Sequence, residues 1–365
     1  MGQSLSNHSW RMFRANVRRT GVSTSIPICK PSLQWVTEVG PVVSSPVFDG
    51  GNLYVSTLTG RVFCLDISRR AILWHESFGP IVSSPLLTDS LLIGATFNGW
   101  IKKTNLENSI YAIDRPTGRL LWGVKIKGDF FSSPCIIDET IIIGSLDKKI
   151  YSIDLSGNIL WDYETDGEIW SSPSSDKNYV YVGSDDANIY SFCIDGSLRW
   201  KTRLNGKVRS SSPCLASDDD LLFCGTHGGG MYCIDTLNGL IKWSKQIQKP
   251  VLSSPTLVEG KVIFATSNNS VYCFESKNGS KLWEFETGNK VWSSPSLVKN
   301  DKMVFFGCLD SNVYGVNIET GKQEWKFPTM GMIDSSPCIA NGLLFVCSRD
   351  GLLYVFGKES LLPYI

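Results

Sequence analysis

The sequence predicts an all-β fold, an eight-bladed β-propeller in which each blade is a four-stranded antiparallel sheet. First, the tripeptide Ser-Ser-Pro occurs eight times at intervals of 39 to 49 residues, with its proline at positions 46, 85, 134, 173, 213, 255, 295 and 337. Second, a tryptophan precedes each of these prolines by 11 to 13 residues, at positions 35, 74, 122, 161, 200, 243, 283 and 325. Self-similarity with a period of roughly 40 residues is typical of propeller repeats.

Each repeat contains short apolar or β-branched runs that are bounded by Gly, Asp and Asn, as in residues 262–265, 271–274 and 303–307. Such runs predict strands joined by tight turns. Residues 141–143 are apolar on both faces, which favours a sheet packed between two neighbours. We name the strands A to D from the channel outwards: A follows Ser-Ser-Pro, B and C form the central hairpin, and D carries the tryptophan. Four such strands per repeat form one propeller blade.

The first and last strands predict how the ring closes. The last A-B-C set ends at residues 354–356 with no tryptophan strand after it, whereas the first tryptophan strand, residues 33–36, has no set before it. We therefore expect the N-terminal strand to complete the C-terminal blade, which leaves no open sheet edge. The predicted organisation is a partly irregular leader at 1–30 and a single propeller domain at 31–365.

A recurrent motif carries a resemblance to a known family. The nine residues Asp-Arg-Pro-Thr-Gly-Arg-Leu-Leu-Trp at 114–122 resemble the tryptophan-docking motif of quinoprotein-dehydrogenase-like (PQQ-like) propeller repeats. The same spacing joins Asp66 to Trp74, Asp235 to Trp243, Glu275 to Trp283 and Asn317 to Trp325. Blade 3 shortens the motif (Asp154 to Trp161), and blade 4 has Cys193 in place of the acid.

The resemblance covers residues 9–357 and implies an eight-bladed PQQ-like propeller. Residues 9–21 also resemble the start of many bacterial members, which suggests a bacterial-type, stand-alone protein. Related repeats occur in dehydrogenases, in an outer-membrane assembly factor, in kinase sensor domains and beside adenylating enzymes. The resemblance is therefore specific for the fold and not for one function.

Composition excludes several classes of function. The chain has 35 acidic and 35 basic residues and no net charge, so we do not expect nucleic acid as a partner. No apolar run approaches the roughly 20 residues that a membrane-spanning helix needs, so membrane association is not expected. We expect a monomer.

The first thirty residues are polar and lack the apolar core of a secretory signal peptide. Residues 1–6 fit the N-myristoylation pattern at Gly2, and Arg11, Arg14, Arg18 and Arg19 would add a second, electrostatic membrane signal. The alternative is a solvated leader whose arginines lie on the outer rim. We favour the solvated leader, because a six-residue pattern is common by chance.

The eleven cysteines are predicted to be reduced packing residues. Their count is odd, no pair has Cys-x-x-Cys spacing, and a slot of strand C holds Cys in some blades but Ser152 or Ala112 in others. Such a slot is a small buried position. The pattern favours the cytoplasm and argues against disulfides and a metal site. The members of the strand C slot are Cys64, Cys233 and Cys273; those that follow Ser-Ser-Pro are Cys135, Cys214 and Cys338.

Antiparallel order places the D-to-A connections and the B-to-C turns at one end of the ring, which we call the top. The long insertion at 97–109, which contains Trp100, is a B-to-C turn, and extended loops on a rigid scaffold often carry function. Slots that vary between repeats escape packing constraints, so they face solvent or a ligand. On this basis the predicted ligand-binding residues are Phe131, Trp170, Trp292, Asp334, Arg349 and Trp100.

Two functions fit these residues best. The favoured one is a binding or scaffold module that receives a protein, peptide or small-molecule ligand at the top face, because an aromatic centre with a polar rim suits an interface. The resemblance to propellers beside adenylating enzymes adds a biosynthetic or assembly partner. The alternative is an enzyme of an unidentified acid–base reaction, such as a cyclase, lyase or isomerase, that uses His227, Asp185 and Arg209.

A PQQ-dependent dehydrogenase is the least supported function. The quinoprotein enzymes of the family use adjacent cysteines, a calcium site and a much longer chain, and this sequence has no Cys-Cys pair. We therefore expect neither a cofactor nor a metal.

Overall fold

The computed structural model describes residues 9–99, 109–176, 178–216, 219–247 and 249–358. Every regular element within these ranges is a β-strand, and the strands form eight sheets arranged as the blades of a propeller. The predicted eight-bladed architecture is confirmed. Two strands precede the first complete blade, β1 (Val22–Ser23) and β2 (Ser32–Glu38).

The first four blades follow in chain order. Blade 1 comprises β3 (Val47–Asp49), β4 (Asn52–Ser56), β5 (Arg61–Asp66) and β6 (Ala71–Ser77). Blade 2 comprises β7 (Leu86–Leu87), β8 (Leu91–Ala95), β9 (Ser109–Asp114) and β10 (Leu120–Lys125). Blade 3 comprises β11 (Cys135–Ile137), β12 (Thr140–Gly144), β13 (Lys149–Asp154) and β14 (Ile159–Glu164). Blade 4 comprises β15 (Ser174–Ser175), β16 (Tyr179–Gly183), β17 (Asn188–Cys193) and β18 (Leu198–Arg203).

The other four blades repeat the pattern. Blade 5 comprises β19 (Cys214–Leu215), β20 (Leu221–Gly225), β21 (Gly230–Asp235) and β22 (Ile241–Gln246). Blade 6 comprises β23 (Thr256–Val258), β24 (Lys261–Ala265), β25 (Ser270–Glu275) and β26 (Lys281–Glu286). Blade 7 comprises β27 (Ser296–Val298), β28 (Met303–Gly307), β29 (Asn312–Asn317) and β30 (Gln323–Pro328). Blade 8 comprises β31 (Cys338–Ala340), β32 (Leu343–Cys347), β33 (Leu352–Gly357) and the N-terminal β2.

The N-terminal strand closes the ring as predicted. β2 pairs antiparallel with β33, with Trp35 opposite Val355, and so takes the D position of blade 8. One sheet therefore contains both ends of the propeller, and neither end presents an unpaired edge at this position. In every blade the strands lie in the order A-B-C-D.

The core lies between the blades. Strands B and C are buried on both faces, as the fully buried Ile141, Ile142 and Ile143 show, whereas the outer D strands alternate between half-buried and exposed residues. Burial on both faces explains why the inner strands lack polar alternation.

Six of the eight strand D tryptophans donate their indole N–H to a backbone carbonyl of the following blade. Trp122, for example, lies at a register shift in the β9–β10 ladder, and its indole N–H donates to the carbonyl of Leu155 in blade 3 at 2.8 Å. Gly157 (φ 91°) packs against the same ring, where a Cβ atom would approach ring carbons to 3.0 Å. The glycine and the tryptophan of the repeated motif thus belong to one contact between successive blades.

The N-terminal segment, residues 9–25, runs inside the ring along the channel side of the A strands. It touches successive blades through backbone hydrogen bonds, and β1 pairs parallel with β27 of blade 7. The bonded pairs are Trp10–Phe48, Arg11–Leu87, Val17–Ser175, Arg18–Leu215, Thr20–Leu257 and Gly21–Leu297. Because an A strand has no neighbouring strand on its channel side, its backbone groups need these partners.

The expectation that the leader arginines lie on the outer rim is wrong for Arg14 and Arg19, whose side chains are completely buried. Arg19 donates to the carbonyls of Ser133, Pro134 and Pro173 at 2.9 to 3.0 Å. Burial lowers the pKa of Arg14 to about 9 and that of Arg19 to about 10. The guanidinium groups donate hydrogen bonds to carbonyls at the end of the Ser-Ser-Pro motifs. The repeat pattern does not reveal that these carbonyls need donors. Gly2 lies outside the described residues.

Candidate functional site

The second serine of each Ser-Ser-Pro motif forms a ring around the channel. The backbone N–H of each of these serines donates to the hydroxyl of the equivalent serine in the next blade, at 2.8 to 3.0 Å. The last bond joins blade 8 to blade 1, so the ring is complete. We call it the serine ring; its members are Ser45, Ser84, Ser133, Ser172, Ser212, Ser254, Ser294 and Ser336.

The first serine of the motif has a different role. The Ser171 hydroxyl donates to the Gly183 carbonyl at 2.8 Å and accepts from the Gly183 N–H at 2.9 Å, which ties the connection to the end of strand B in the same blade. The first serines of the other blades bond at the equivalent point. One serine therefore shapes its own blade, and the other joins neighbouring blades.

A cavity of about 360 Å³ lies above the serine ring, on the axis of the propeller. Phe13 of the N-terminal segment lines it from below, and partly exposed side chains at the top ends of the blades, such as Trp292, surround its mouth. We call this cavity the top funnel. Seven of the predicted site residues line it: Phe131, Trp170, Trp292, Arg209, His227, Asp334 and Arg349.

Two predicted residues do not line the funnel. Asp185 lies behind Arg209 and is bonded to it, with Arg209 Nε 3.2 Å from each carboxylate oxygen. Trp100 lies outside the described residues. Phe97, at the start of the same insertion, is buried, and its ring lies 6.3 Å from that of Phe131.

One wall of the funnel is a continuous aromatic and cationic surface. The rings of Phe131 and Trp170 lie 5.2 Å apart, and the guanidinium carbon of Arg209 lies 4.6 Å from the centre of the Trp170 ring. The indole N–H of Trp170 donates to Glu168 at 2.8 Å, which fixes the ring orientation. Planar aromatic faces next to a guanidinium are suited to contact with a flat or apolar group.

The charges in this wall are balanced by close partners. The Asp185 side chain is almost fully buried and faces both Arg209 and Lys207, whose Nζ lies 3.2 Å from its Oδ2. The hydrogen bonds that Arg209 donates to Asp185 raise the pKa of Arg209 above its ordinary value. Asp185 therefore holds the two cations in place.

A second ion pair lies at the mouth in blade 8. Arg349 donates to both carboxylate oxygens of Asp334, with Nη2 3.1 Å from Oδ1. The carboxyl side chain is 3% exposed and that of the arginine 41% exposed. Burial raises the pKa of Asp334, and the Arg349 charge opposes that change. The acid is thus enclosed, and the guanidinium presents its outer face to solvent.

The imidazole of His227 is partly buried beside charged groups. Burial lowers its pKa, Arg209 and Lys207 lower it further, and Asp185 acts in the opposite direction. Its backbone N–H donates to the Lys207 carbonyl at 2.8 Å. Within the part of the chain that the structure describes, its imidazole makes no hydrogen bond with another side chain. The structure therefore brings His227 and Asp185 to one wall without joining them into a hydrogen-bonded acid–base pair.

Sequence reasoning missed the lower half of the funnel. The variable slots supplied the predicted site residues, whereas the constant second serines of Ser-Ser-Pro, which were not predicted, line the funnel floor. No sequence pattern indicated Phe13 as a site residue, because Phe13 belongs to no repeat. The variable slot before Ser-Ser also contributes apolar residues that the prediction left out, namely Val43, Val82 and Leu252.

The eleven cysteines are free thiols, and Cys64, Cys233 and Cys273 are buried in strand C as predicted. Among the described residues, no group of three or more His, Cys, Asp and Glu side chains is placed to hold a metal ion. No helix in the described ranges is long and apolar enough to span a membrane.

Profiles of known protein families identify the family of this chain. A sequence profile of the beta-propeller of the beta-alanine-activating enzyme matches residues 107–361, which is more than half of the 365 residues. The chain belongs to this propeller family. A second profile, of the outer membrane protein assembly factor BamB, matches residues 16–104 of this family member. No curated protein sequence matches the chain.

Solved structures share the architecture of this propeller. BamB from Moraxella catarrhalis is 19% identical with a TM-score of 0.76, over 92% of this chain and 100% of that one. A europium-containing methanol dehydrogenase is 14% identical with a TM-score of 0.81, over 96% and 98%. The quinohemoprotein alcohol dehydrogenase of Comamonas testosteroni is 14% identical with a TM-score of 0.80, over 98% and 82%. The predicted resemblance to PQQ-like eight-bladed propellers is confirmed, and at these identities it concerns the fold alone.

Proposed function

We propose that the chain is a binding module that receives part of a protein or peptide partner in the top funnel. The observation that carries this proposal is the funnel itself, a cavity of about 360 Å³ with aromatic walls and ion pairs at its mouth. Cavities of this size with mainly apolar walls and a few fixed polar groups are typical of ligand sites.

Exposed apolar residues around the mouth favour a macromolecular partner. Trp292 is 40% exposed, and Met330 and Met332 in the next D-to-A connection are 85% and 45% exposed. Tryptophan and methionine are enriched in the centres of protein interfaces. An interface here would cover these side chains while a smaller part of the partner enters the funnel.

The names of two matching family profiles support the proposal by analogy. One profile that matches the chain describes an assembly factor, and the other describes a propeller of an activating enzyme. We propose an assembly or biosynthetic partner on this analogy. The cytoplasmic location and the monomeric state predicted from the sequence remain part of the proposal.

A crosslinking experiment compares contact with a protein partner at the top face and at the bottom face. A photoreactive phenylalanine analogue replaces Met330 at the top in one variant and Leu237 in the C-to-D turn at the bottom in the other; both positions are well exposed, 85% and 61%. We expect a discrete protein adduct from position 330 only. Equal adducts from both positions, or none from position 330, would contradict the proposal.

The partner identified in this way then provides a quantitative test. Trp292→Ala should weaken its binding to the purified chain by about 30-fold, as expected for an aromatic residue at an interface centre that contributes roughly 2 kcal/mol. Leu237→Ala is the matched control and should leave the affinity unchanged. Unchanged affinity in both variants would exclude the funnel mouth as the interface.

A further inference from the structure

The floor of the top funnel combines the side chain of Phe13 with the hydroxyls of the serine ring. Each hydroxyl of the serine ring already accepts a backbone N–H from the preceding blade. A hydroxyl also has one hydrogen to donate, and none of these eight finds an acceptor among the described residues. All eight serines are at least 95% buried, and all except Ser254 line the cavity. The ring thus has hydroxyl hydrogens to donate to a ligand on the floor.

The charge below this floor is positive. Arg14 and Arg19 are buried beneath the serine ring and bond to backbone carbonyls and hydroxyls, and neither has a carboxylate partner in the described ranges. Two buried cations without a counterion are costly, and an anion on the floor would lower that cost. The ion pairs of Asp185 and Asp334 balance the charges in the walls and leave the two arginines uncompensated.

The walls above the floor are mainly apolar. Val82, Phe131 and Trp170 line one side and Leu252 and Trp292 the other. A ligand that reaches the floor must therefore carry its charge at the end of an apolar body.

We propose that the serine ring binds a carboxylate at the end of an apolar chain, either the C terminus of a peptide or a free small carboxylic acid. This inference rests on the proposed function and names the chemistry of the group that enters the funnel. A carboxylate can accept several hydrogen bonds at once, and bonds to an ionised acceptor are stronger than those to a neutral one. A primary amide of the same shape has an NH2 donor in place of one acceptor oxygen, so it cannot accept as many hydrogen bonds from the hydroxyls of the floor.

The test uses two acids and their amides on the full-length chain at pH 7. Isothermal titration measures the binding of the tripeptide Gly-Gly-Phe, its C-terminal amide, 3-phenylpropionate and 3-phenylpropanamide. We expect at least one acid to bind and its amide to bind at least tenfold more weakly. Tighter binding of the tripeptide acid would identify a peptide C terminus as the source, and tighter binding of 3-phenylpropionate would identify a small acid.

Serine variants locate the binding site. The double variant Ser133→Ala and Ser212→Ala removes two floor hydroxyls and should weaken acid binding at least tenfold. The matched control, Ser132→Ala with Ser211→Ala, also removes two buried hydroxyls that each accept one backbone N–H. Neither control residue lines the cavity, so acid binding should be retained. Melting temperatures of both double variants report any general loss of structure.

The outcomes separate this inference from the proposed function. Equal binding of acid and amide, or equal loss in the two double variants, would overturn the carboxylate assignment. No binding of either acid at 10 mM would mean that the floor holds only water. In each of these cases, a crosslinked partner whose binding is lost in Trp292→Ala would still support the top funnel as a protein-binding surface.

Discussion

The burial of the N-terminal segment inside the ring leads to a sharp prediction at Gly21. Its φ of 68° lies in the left-handed region, and a Cβ atom there would collide with the guanidinium group of Arg14. Gly21→Ala should therefore both strain the backbone and displace Arg14 from its carbonyl partners. Gly260 provides the matched control, because its φ is 73° and a Cβ atom there would meet nothing within 4 Å.

The expected magnitude comes from the contacts of Arg14. Left-handed backbone costs an alanine about 1–2 kcal/mol, and this cost applies to both variants. Displacement of Arg14 also leaves the buried carbonyl of Pro255 without its donor, at about 1–3 kcal/mol, whereas the carbonyl of Pro295 keeps the Thr256 hydroxyl. Exposure of the guanidinium to water would offset part of this loss. We expect Gly21→Ala to cost about 2 kcal/mol more than Gly260→Ala.

Equilibrium unfolding in urea measures the difference between the two free energies of unfolding. The comparison is valid only if the slopes with urea agree, because a changed slope would indicate a changed denatured or native state. Equal destabilisation by the two substitutions would refute the placement of Arg14 beneath the serine ring. It would instead support the solvated N-terminal leader that the sequence predicts.

Three further predictions test the closure, the mouth and the wall. Removal of residues 1–38 deletes both β2 and the segment inside the ring, so the truncated chain should melt at a lower temperature and aggregate; a monomer that melts like the full chain would contradict the proposed closure. Arg349→Ala leaves the buried carboxylate of Asp334 unpaired and should cost about 1–3 kcal/mol at pH 7. This variant should regain stability towards pH 5, because the raised pKa of Asp334 means that the folded state binds a proton more readily than the unfolded state does. A pH-independent deficit, or one that Asp334→Asn does not reduce, would count against that account. Finally, an NMR titration should show the His227 imidazole, identified by its loss in His227→Ala, with a pKa below the ordinary value of about 6.5; a higher pKa would mean that Asp185 dominates its surroundings.

The repeat made the ring predictable. Ser-Ser-Pro and tryptophan return at a nearly constant period because every blade solves the same packing problem, so their number and order predict eight blades and the closing role of β2. The variable slots also predict that Trp170, Arg209 and His227 meet at one end, because antiparallel order alone assigns each connection to the top or the bottom. These inferences need only local pattern and topology.

The tertiary structure decided how the channel is filled. Phe13, Arg14 and Arg19 belong to no repeat, and the two arginines bond to carbonyl groups that four separate blades direct towards the axis. Likewise, seven bonds of the serine ring join residues 39 to 49 apart and the eighth joins Ser336 to Ser45, so the ring forms only when the propeller closes. Sequence periodicity records what each blade needs for its own packing. It carries no record of the polar groups that the blades together direct towards the axis. The carbonyls among these groups bind the N-terminal segment, and the serine hydroxyls line the floor of the funnel.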